Sequence, residues 1–356
     1  MAAEPILASS LWTAEQPSTH PDRPHKRRRL ATGCQAIDTS LGGGFDYGSI
    51  SCISADSESG GKELSYSLIA SHLLLSDRAE ATVVDTTNSF DVRRLHTRLV
   101  ALLREKGRDD AKEQAVLVLE RVRIMKAFDL VGVSECITEL REALDTRSHE
   151  HLGETSNSMR DNIPAPRGTV EDSEDEEEEM LDNIATVKLP TPPPPDMEDN
   201  SPRNVLVIDN ISHVTSPMLK TDQIQGQALL TTFMRSLGHL TRAHDICSII
   251  HNTTITDPPY RSSTEPTPSI FSSCSLRPAL GKTFAYLLDL HLLLHRVPLT
   301  AADAKVVYAS HSAVPIPSQM LACVLEIMQD RYSDRVGRWS AFRPDAEGGL
   351  AAVGGS

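Results

Sequence analysis

Three apolar runs in this chain stop at a polar group and hand over to a helical pattern. Ser49 to Ala55 leads into Ser-Glu-Ser-Gly-Gly-Lys62, Ala81 to Asp85 ends in an acid, and so does Asn204-Val-Leu-Val-Ile-Asp209. Leu64, Leu68 and Leu75 follow the first run at helical spacing, and Leu95, Leu99 and Leu102 follow the second. Leu229, Leu230, Phe233, Met234, Leu237 and Leu240 line one side of a long helix after the third. Strands alternating with helices predict a parallel sheet covered on both faces. Further strands are predicted over 116–125 and 246–250, and a helix over 128–144. The segments 284–294, 304–307 and 321–328 read as a β-rich end, closed by the turn Asp334-Arg-Val-Gly-Arg-Trp339 before a last short strand.

One stretch breaks this rhythm. Between Glu150 and Arg203 there are 15 acidic and 4 basic residues, a net of −11 out of −14 for the whole chain. The acidity is therefore local, and the remainder is close to neutral. A near-neutral core permits weak or shared DNA binding rather than strong binding of its own. Residues 149–203 also hold Glu171-Asp-Ser-Glu-Asp-Glu-Glu-Glu-Glu179 and Pro190-Thr-Pro-Pro-Pro-Pro195. Such a composition does not offset ordering entropy, so these residues read as a disordered insertion inside one domain that spans 31–342. Residues 1–30 read as a disordered basic tail, and 343–356 as a flexible C-terminal tail.

The four basic residues Lys26 to Arg29 read as a nuclear import signal. No signal peptide and no run long enough for a bilayer stands out, which predicts a nuclear protein with no membrane association. The six cysteines form no C-x-x-C pair and show no zinc spacing, so no metal site is expected from them.

In an open parallel sheet, ligands sit beyond the carboxyl ends of the strands. A phosphate-binding loop there follows G-x-x-x-x-G-K-[ST], with a lysine on the outer phosphates, a hydroxyl on magnesium and an acid on a second strand. Gly60, Gly61 and Lys62 satisfy part of that rule, and Asp209 is a candidate acid. Asp56, however, stands at the first glycine and Glu63 at the hydroxyl. Asp56 and Glu58 place carboxylates where triphosphate charge would lie, and like charges about 4 Å apart oppose each other by ~4 kcal/mol. ATP with magnesium is expected to bind weakly or not at all.

These residues together resemble the eukaryotic recombinase paralogues, relatives of the RecA-type strand-exchange ATPases. The resemblance is carried by Thr32-Gly-Cys-Gln-Ala-Ile-Asp-Thr-Ser-Leu-Gly-Gly-Gly44 with Gly48-Ser-Ile50, and by Asp85-Thr-Thr-Asn-Ser-Phe90 with Arg94-Leu95. Val205 to Asp209 and Arg277-Pro-Ala-Leu-Gly281 with 283–294 complete it. Ser216-Pro-Met-Leu219, Gln225-Gly and Ala228-Leu look most like the D-type branch, while the short N-terminus is closer to the smallest paralogue. The resemblance implies an α/β fold with a RecA-like P-loop NTPase core, a mostly parallel sheet flanked by helices and a β-rich C-terminal end. It implies other recombinase paralogues and the RecA-type recombinase as partners, with single-stranded DNA met through the complex.

Where the family has a catalytic glutamate this chain has Thr87, and of the polar pair that senses the γ-phosphate only Asn252 remains, followed by Thr253. The second DNA-contacting loop falls on 253–276, with Tyr260 and Phe271 as rings and Arg261 as its only basic residue. The reading that follows is a non-hydrolysing recombination mediator subunit for homologous recombination and double-strand break repair. Two other readings remain open at this stage: an active DNA-dependent ATPase relying on Lys62 and Asp209, and a RecA-like scaffold subunit of an RNA-modifying assembly.

Overall fold

A computed structural model describes residues 28–158, 203–256, 269–309 and 317–353, without the side chains of 148–158 and 309. The acidic and Pro-rich core of the predicted insertion and most of the N-terminal tail lie outside the described residues. Twelve strands occur among the described residues: β1 Arg29–Leu30, β2 Phe45–Asp46, β3 Ser49–Ala55, β4 Glu80–Asp85, β5 Val122–Lys126 and β6 Asn204–Asp209 in the first half. β7 Cys247–Thr256, β8 Leu276–Pro278, β9 Leu290–Pro298, β10 Leu321–Asp330, β11 Trp339–Pro344 and β12 Leu350–Ala352 follow. The α-helices are α1 Gln35–Ser40, α2 Gly61–Leu73, α3 Val92–Glu105, α4 Ala111–Leu119, α5 Leu130–Ser158, α6 Ile211–Thr221, α7 Gln223–Ala243, α8 Gly281–Ala285 and α9 Ala301–Ala309.

The main sheet runs β12-β11-β10-β9-β3-β7-β6-β4-β5, with β8 paired to β7. From β9 to β5 every neighbouring pair is parallel. From β9 to β12 every pair is antiparallel. Alternate side chains of β3 feed opposite cores, as the period of a strand requires. Ile53 and Ala55 join Ile37, Leu64, Leu68, Leu95, Leu99 and Ala115 from α1 to α4. Ile50 and Cys52 join Val133, Ile137, Ile211, Leu230 and Phe233 from α5 to α7. The helical and strand periods legible in the sequence are thus those of a sheet covered on both faces.

The predicted long helix is α7, Gln223–Ala243, which holds Leu229 to Leu240, and a shorter helix, α6, precedes it. The Asp222 side chain accepts from the N–H groups of Ile224 and Gln225, so it starts a new helix rather than continuing the old one. The predicted strand 116–125 divides in two. Ala111, Ala115 and Val118 bury one face of α4 at helical spacing, and only Val122–Lys126 is strand. Residues 304–307 are helical, not β. Asp303 accepts from Thr300 N and Oγ1, and Thr300 Oγ1 accepts from Asp303 N, a reciprocal cap that starts α9. Phe284 lies in the short α8 rather than in a strand.

Both predicted tails are shorter than expected. Arg29 is bound into the fold through Asp46, 2.7 Å from its Nε, and through the carbonyl of Gly42. The close approach behind this ribbon needs Gly44, because a Cβ there would lie 2.1 Å from the Leu30 carbonyl oxygen. At the other end, Leu350–Ala352 pairs with β11 and Leu350 is buried, so the domain extends past residue 343.

All six cysteines are buried and free. His72 and His291 are buried too, and burial lowers each imidazole to about 4. The unfolded chain binds protons at these rings near pH 6.5 and the folded chain does not, so stability is full above that pH and is lost as pH falls towards 4. The expected loss is up to ~3 kcal/mol per ring. Thermal unfolding followed from pH 7.5 to 4.5 should show a melting temperature that is level above pH 6.5 and falls steeply below it.

Candidate functional site

The ends of β3, β4 and β6 converge because the three strands run parallel in one sheet, and their loops leave from one edge. Lys62 on the first turn of α2 reaches Asp209 at the end of β6, with Nζ 3.7 Å from Oδ2. The same ammonium donates to Ser89 Oγ at 2.5 Å. Ser89 in turn lies 2.5 Å from Thr87 Oγ1. The lysine therefore ends in a cluster of this chain's own oxygens.

The loop between β3 and α2 is closed in the same way. Asp56 Oδ1 accepts from the Glu58 N–H at 2.9 Å and from Ser59 Oγ at 2.6 Å. Backbone N–H groups of such a loop are what would hold a phosphate. Here a carboxylate of the loop takes one of them. Glu58 is drawn to Arg296 on β9 at 2.5 Å, and Glu63 to Arg94 on α3 at 2.7 Å. Two of these acids, Glu58 and Glu63, are thus each paired with an arginine.

Gly60 closes the loop at φ +81°, the left-handed region. A Cβ there would lie 2.9 Å from the Phe342 ring on β11. Phe342 is fully buried, and Cys323 Sγ is 3.3 Å from the same point. Gly61 faces Ala55 and His251. His251 Nε2 lies 2.6 Å from Ser65 Oγ on α2. Burial holds this imidazole below its ordinary pKa, against the pull of Asp209.

Asp85 at the end of β4 is a structural acid. Its carboxylate accepts from the N–H groups of Thr87, Ser89 and Phe90. Burial pushes its carboxyl up, but those donors outweigh it and leave the group below the ordinary aspartate range. Thr87, at the position of a catalytic glutamate in the resemblance, donates back to Asp85 at 3.3 Å. A threonine hydroxyl engaged in this way is not a general base at neutral pH.

Of the residues singled out from sequence, the structure brings Gly60, Gly61, Lys62 and Asp209 together. Asn252 is tied elsewhere: its Nδ2 donates to Ser54 Oγ at 3.0 Å, and Ser54 Oγ lies 2.8 Å from His291 Nε2. These three side chains form a buried polar row across β7, β3 and β9. Asn252 Oδ1 has no partner among the described residues. Sequence reasoning missed Ser89, His251, Arg94, Arg296 and Phe342. Ser89 and Arg94 stood inside quoted motifs without a role assigned, but Arg296 and Phe342 are hundreds of residues from the loop and gave no local signal. Phe271, one of the two rings noted in 253–276, is packed 5.1 Å from His295 and 5.3 Å from Trp339.

The position of the metal-binding hydroxyl is a glutamate held by an arginine, and Asp56 takes one of the loop's N–H donors. Among the described residues no group of three or more His, Cys, Asp or Glu could hold a metal ion, and no helix is long and apolar enough to cross a membrane.

Gly60→Ala should destabilise the fold by about 1–3 kcal/mol, through the left-handed backbone and the contact with Phe342. Urea unfolding of Gly60→Ala, Phe342→Leu and the double variant measures this. The double variant should lose less than the sum of the two, because the smaller side chain relieves the clash.

No protein-family model matches the chain. DNA repair protein RAD51 homolog 4 from Bos taurus is 20% identical over 265 residues, which is 74% of this chain and 60% of that protein. The chain thus spans less than two thirds of the length of the curated relative it matches. The crystal structure of the RadB recombinase matches with a TM-score of 0.51 and 17% identity, covering 91% of this chain and all of that one. In fold this chain is RecA-like, and in sequence it is similar to a RAD51 homologue.

Proposed function

We propose that this chain is a recombination and DNA-repair subunit of the RecA type that works without a nucleotide cycle. It joins other recombinase paralogues and the RecA-type recombinase, and it supports assembly on single-stranded DNA during homologous recombination and double-strand break repair. It does so by presenting surfaces rather than by hydrolysis. Nuclear residence belongs to the same proposal and rests on the basic run Lys26 to Arg29, of which Arg29 is also part of the fold.

The observation that carries this reading is the self-satisfied loop. Asp56 takes the Glu58 N–H, and Lys62 is engaged by Asp209 and Ser89. A triphosphate would have to displace a carboxylate from its own loop and break a lysine–aspartate pair in which Asp209 is only 9% exposed. A buried acid that loses its cation is costly. The proximity of Lys62 to Asp209 is also what an active ATPase needs, and it favours that reading as the second one.

Calorimetric titration with Mg-ATP separates the two. The wild-type chain and Lys62→Ala should behave alike, with no binding tighter than ~10 μM, about −7 kcal/mol. Wild-type affinity tighter than this, lost in Lys62→Ala, would decide for the ATPase. The double substitution Asp56→Gly with Glu63→Thr restores the loop rule, frees the Glu58 N–H and supplies the missing hydroxyl. It should gain Mg-ATP affinity by about tenfold or more, since a charge-assisted bond is worth ~1.5–3 kcal/mol.

A further inference from the structure

We infer that the N-terminal segment Ile6-Leu-Ala-Ser-Ser-Leu-Trp12 docks back onto an apolar patch of its own chain, formed by Ile270, Val336 and Trp339. This goes beyond the reading above. It involves neither the loop after β3 nor a nucleic acid.

Ile270 is 55% exposed, Val336 56% and Trp339 49%. Single apolar side chains on a surface need no explanation, but these cluster. Ile270 Cγ2 lies 4.0 Å from where a Cβ would stand on Gly337, the residue after Val336. The Phe271 ring lies 5.3 Å from the Trp339 indole. The patch is also held in place. Glu326, buried opposite Trp339 in the β10–β11 register, accepts from Ser269 Oγ at 2.6 Å and from Ile270 N at 2.7 Å. Arg335 fixes the turn before Val336 through Asp330 and Asp46. An occupant therefore meets a surface that needs little ordering.

The chain supplies that occupant, because its first residues leave the fold beside the patch. Arg29 Nε lies 2.7 Å from Asp46 Oδ1, and Arg335 Nη2 lies 3.4 Å from Asp46 Oδ2. One carboxylate thus joins the root of the N-terminal segment to the residue before Val336. Arg29 also reaches the Gly42 carbonyl, and nearby Ser40 Oγ donates to the Trp339 carbonyl at 2.9 Å. Residues 13–27 contain no Val, Ile, Leu, Met, Phe, Tyr or Trp, whereas 6–12 contain Ile6, Leu7, Leu11 and one of the chain's two tryptophans. Apolar side chains gathered ahead of so polar a stretch gain by burial. The 15 residues between Trp12 and Arg28 reach ~50 Å when extended and average roughly 22 Å end to end. That exceeds the step from Arg29 to Trp339 by way of Gly42 and Ser40.

Tethering also decides between occupants. At an effective concentration on the order of 1 mM, a contact with a Kd of about 100 μM is made roughly ten times as often as it is broken. A second copy or another protein would have to reach the same patch at its own, far lower concentration.

Trp12 and Trp339 report on the two sides of this contact. In the full-length chain with Trp339→Phe, Trp12 emits alone. Its emission should lie to the blue of a free peptide of residues 1–20, and iodide should quench it several-fold less. Adding Ile270→Asp and Val336→Asp should move both readings to those of the peptide. In the chain with Trp12→Phe, Leu7→Ser with Leu11→Ser should raise the iodide quenching of Trp339. The added substitutions lie at exposed positions or in the N-terminal segment, so the fold survives them, which circular dichroism checks. Trp12 emission equal to that of the peptide, or quenching that the added substitutions leave unchanged, would overturn the inference. So would protection lost on dilution from about 10 μM to about 0.1 μM, which would give the patch to a second copy.

Discussion

Strand β3 is buried along all seven residues and is hydrogen-bonded on both edges to parallel neighbours, β7 and β9. The rest of the molecule is arranged around that constraint. β4, β5 and β6 all lie on the β7 side, while β9 and the antiparallel strands lie on the other. The strand order therefore reverses at β3, and the crevice beyond its carboxyl end is where an open α/β sheet offers a ligand site. The loop 56–60 occupies that position because of the topology, whatever residues it contains. A phosphate loop that has lost half of its defining residues still looks like one for this reason.

The changed residues have not been left as bare charges. Asp56 finds a backbone N–H and a hydroxyl within its own loop, Glu58 finds Arg296, and Glu63 finds Arg94. Exposed pairs of this kind contribute at most about 1 kcal/mol each, so their weight in stability is small. Their weight in binding is larger. Asp56 takes a loop N–H that a phosphate would need, and Lys62 is committed in turn to Asp209 and Ser89. The arrangement is internally neutralised without a nucleotide.

The parallel half of the fold was legible because its signals are local. Ser49–Ala55 and Asn204–Asp209 are strands with the predicted bounds, since a buried strand is a continuous apolar run closed by polar residues. Elsewhere the sequence was only partly legible. Residues 304–307 near the antiparallel end and 116–119 before β5 read as strands, and their helical state is set by a capping pair at Thr300 and by the burial of Ala111, Ala115 and Val118. The site followed the same division. Gly60, Gly61, Lys62 and Asp209 meet because a short motif and a strand end encode them. Phe342 and Arg296 come to the loop only through strand pairing far along the chain, and Asn252 is diverted by Ser54, one strand away. Pairing between distant segments leaves no periodic trace in either one.

That pairing also gives β11 two roles at once. Because side chains alternate along a strand, Phe342 points into the core and packs against Gly60, while Trp339 points outward over Glu326 and Phe271. A one-residue slip of β11 against β10 would exchange the two faces, withdrawing the ring that seals the loop and burying the indole. The register is held from both sides, by the ladder to β10 and by the hairpin to β12, and Arg335 anchors the preceding turn to Asp330 and Asp46. The antiparallel extension is therefore more than an edge added to a RecA-like sheet. It closes the loop from one face and opens a ring to solvent on the other, and a single strand register sets both.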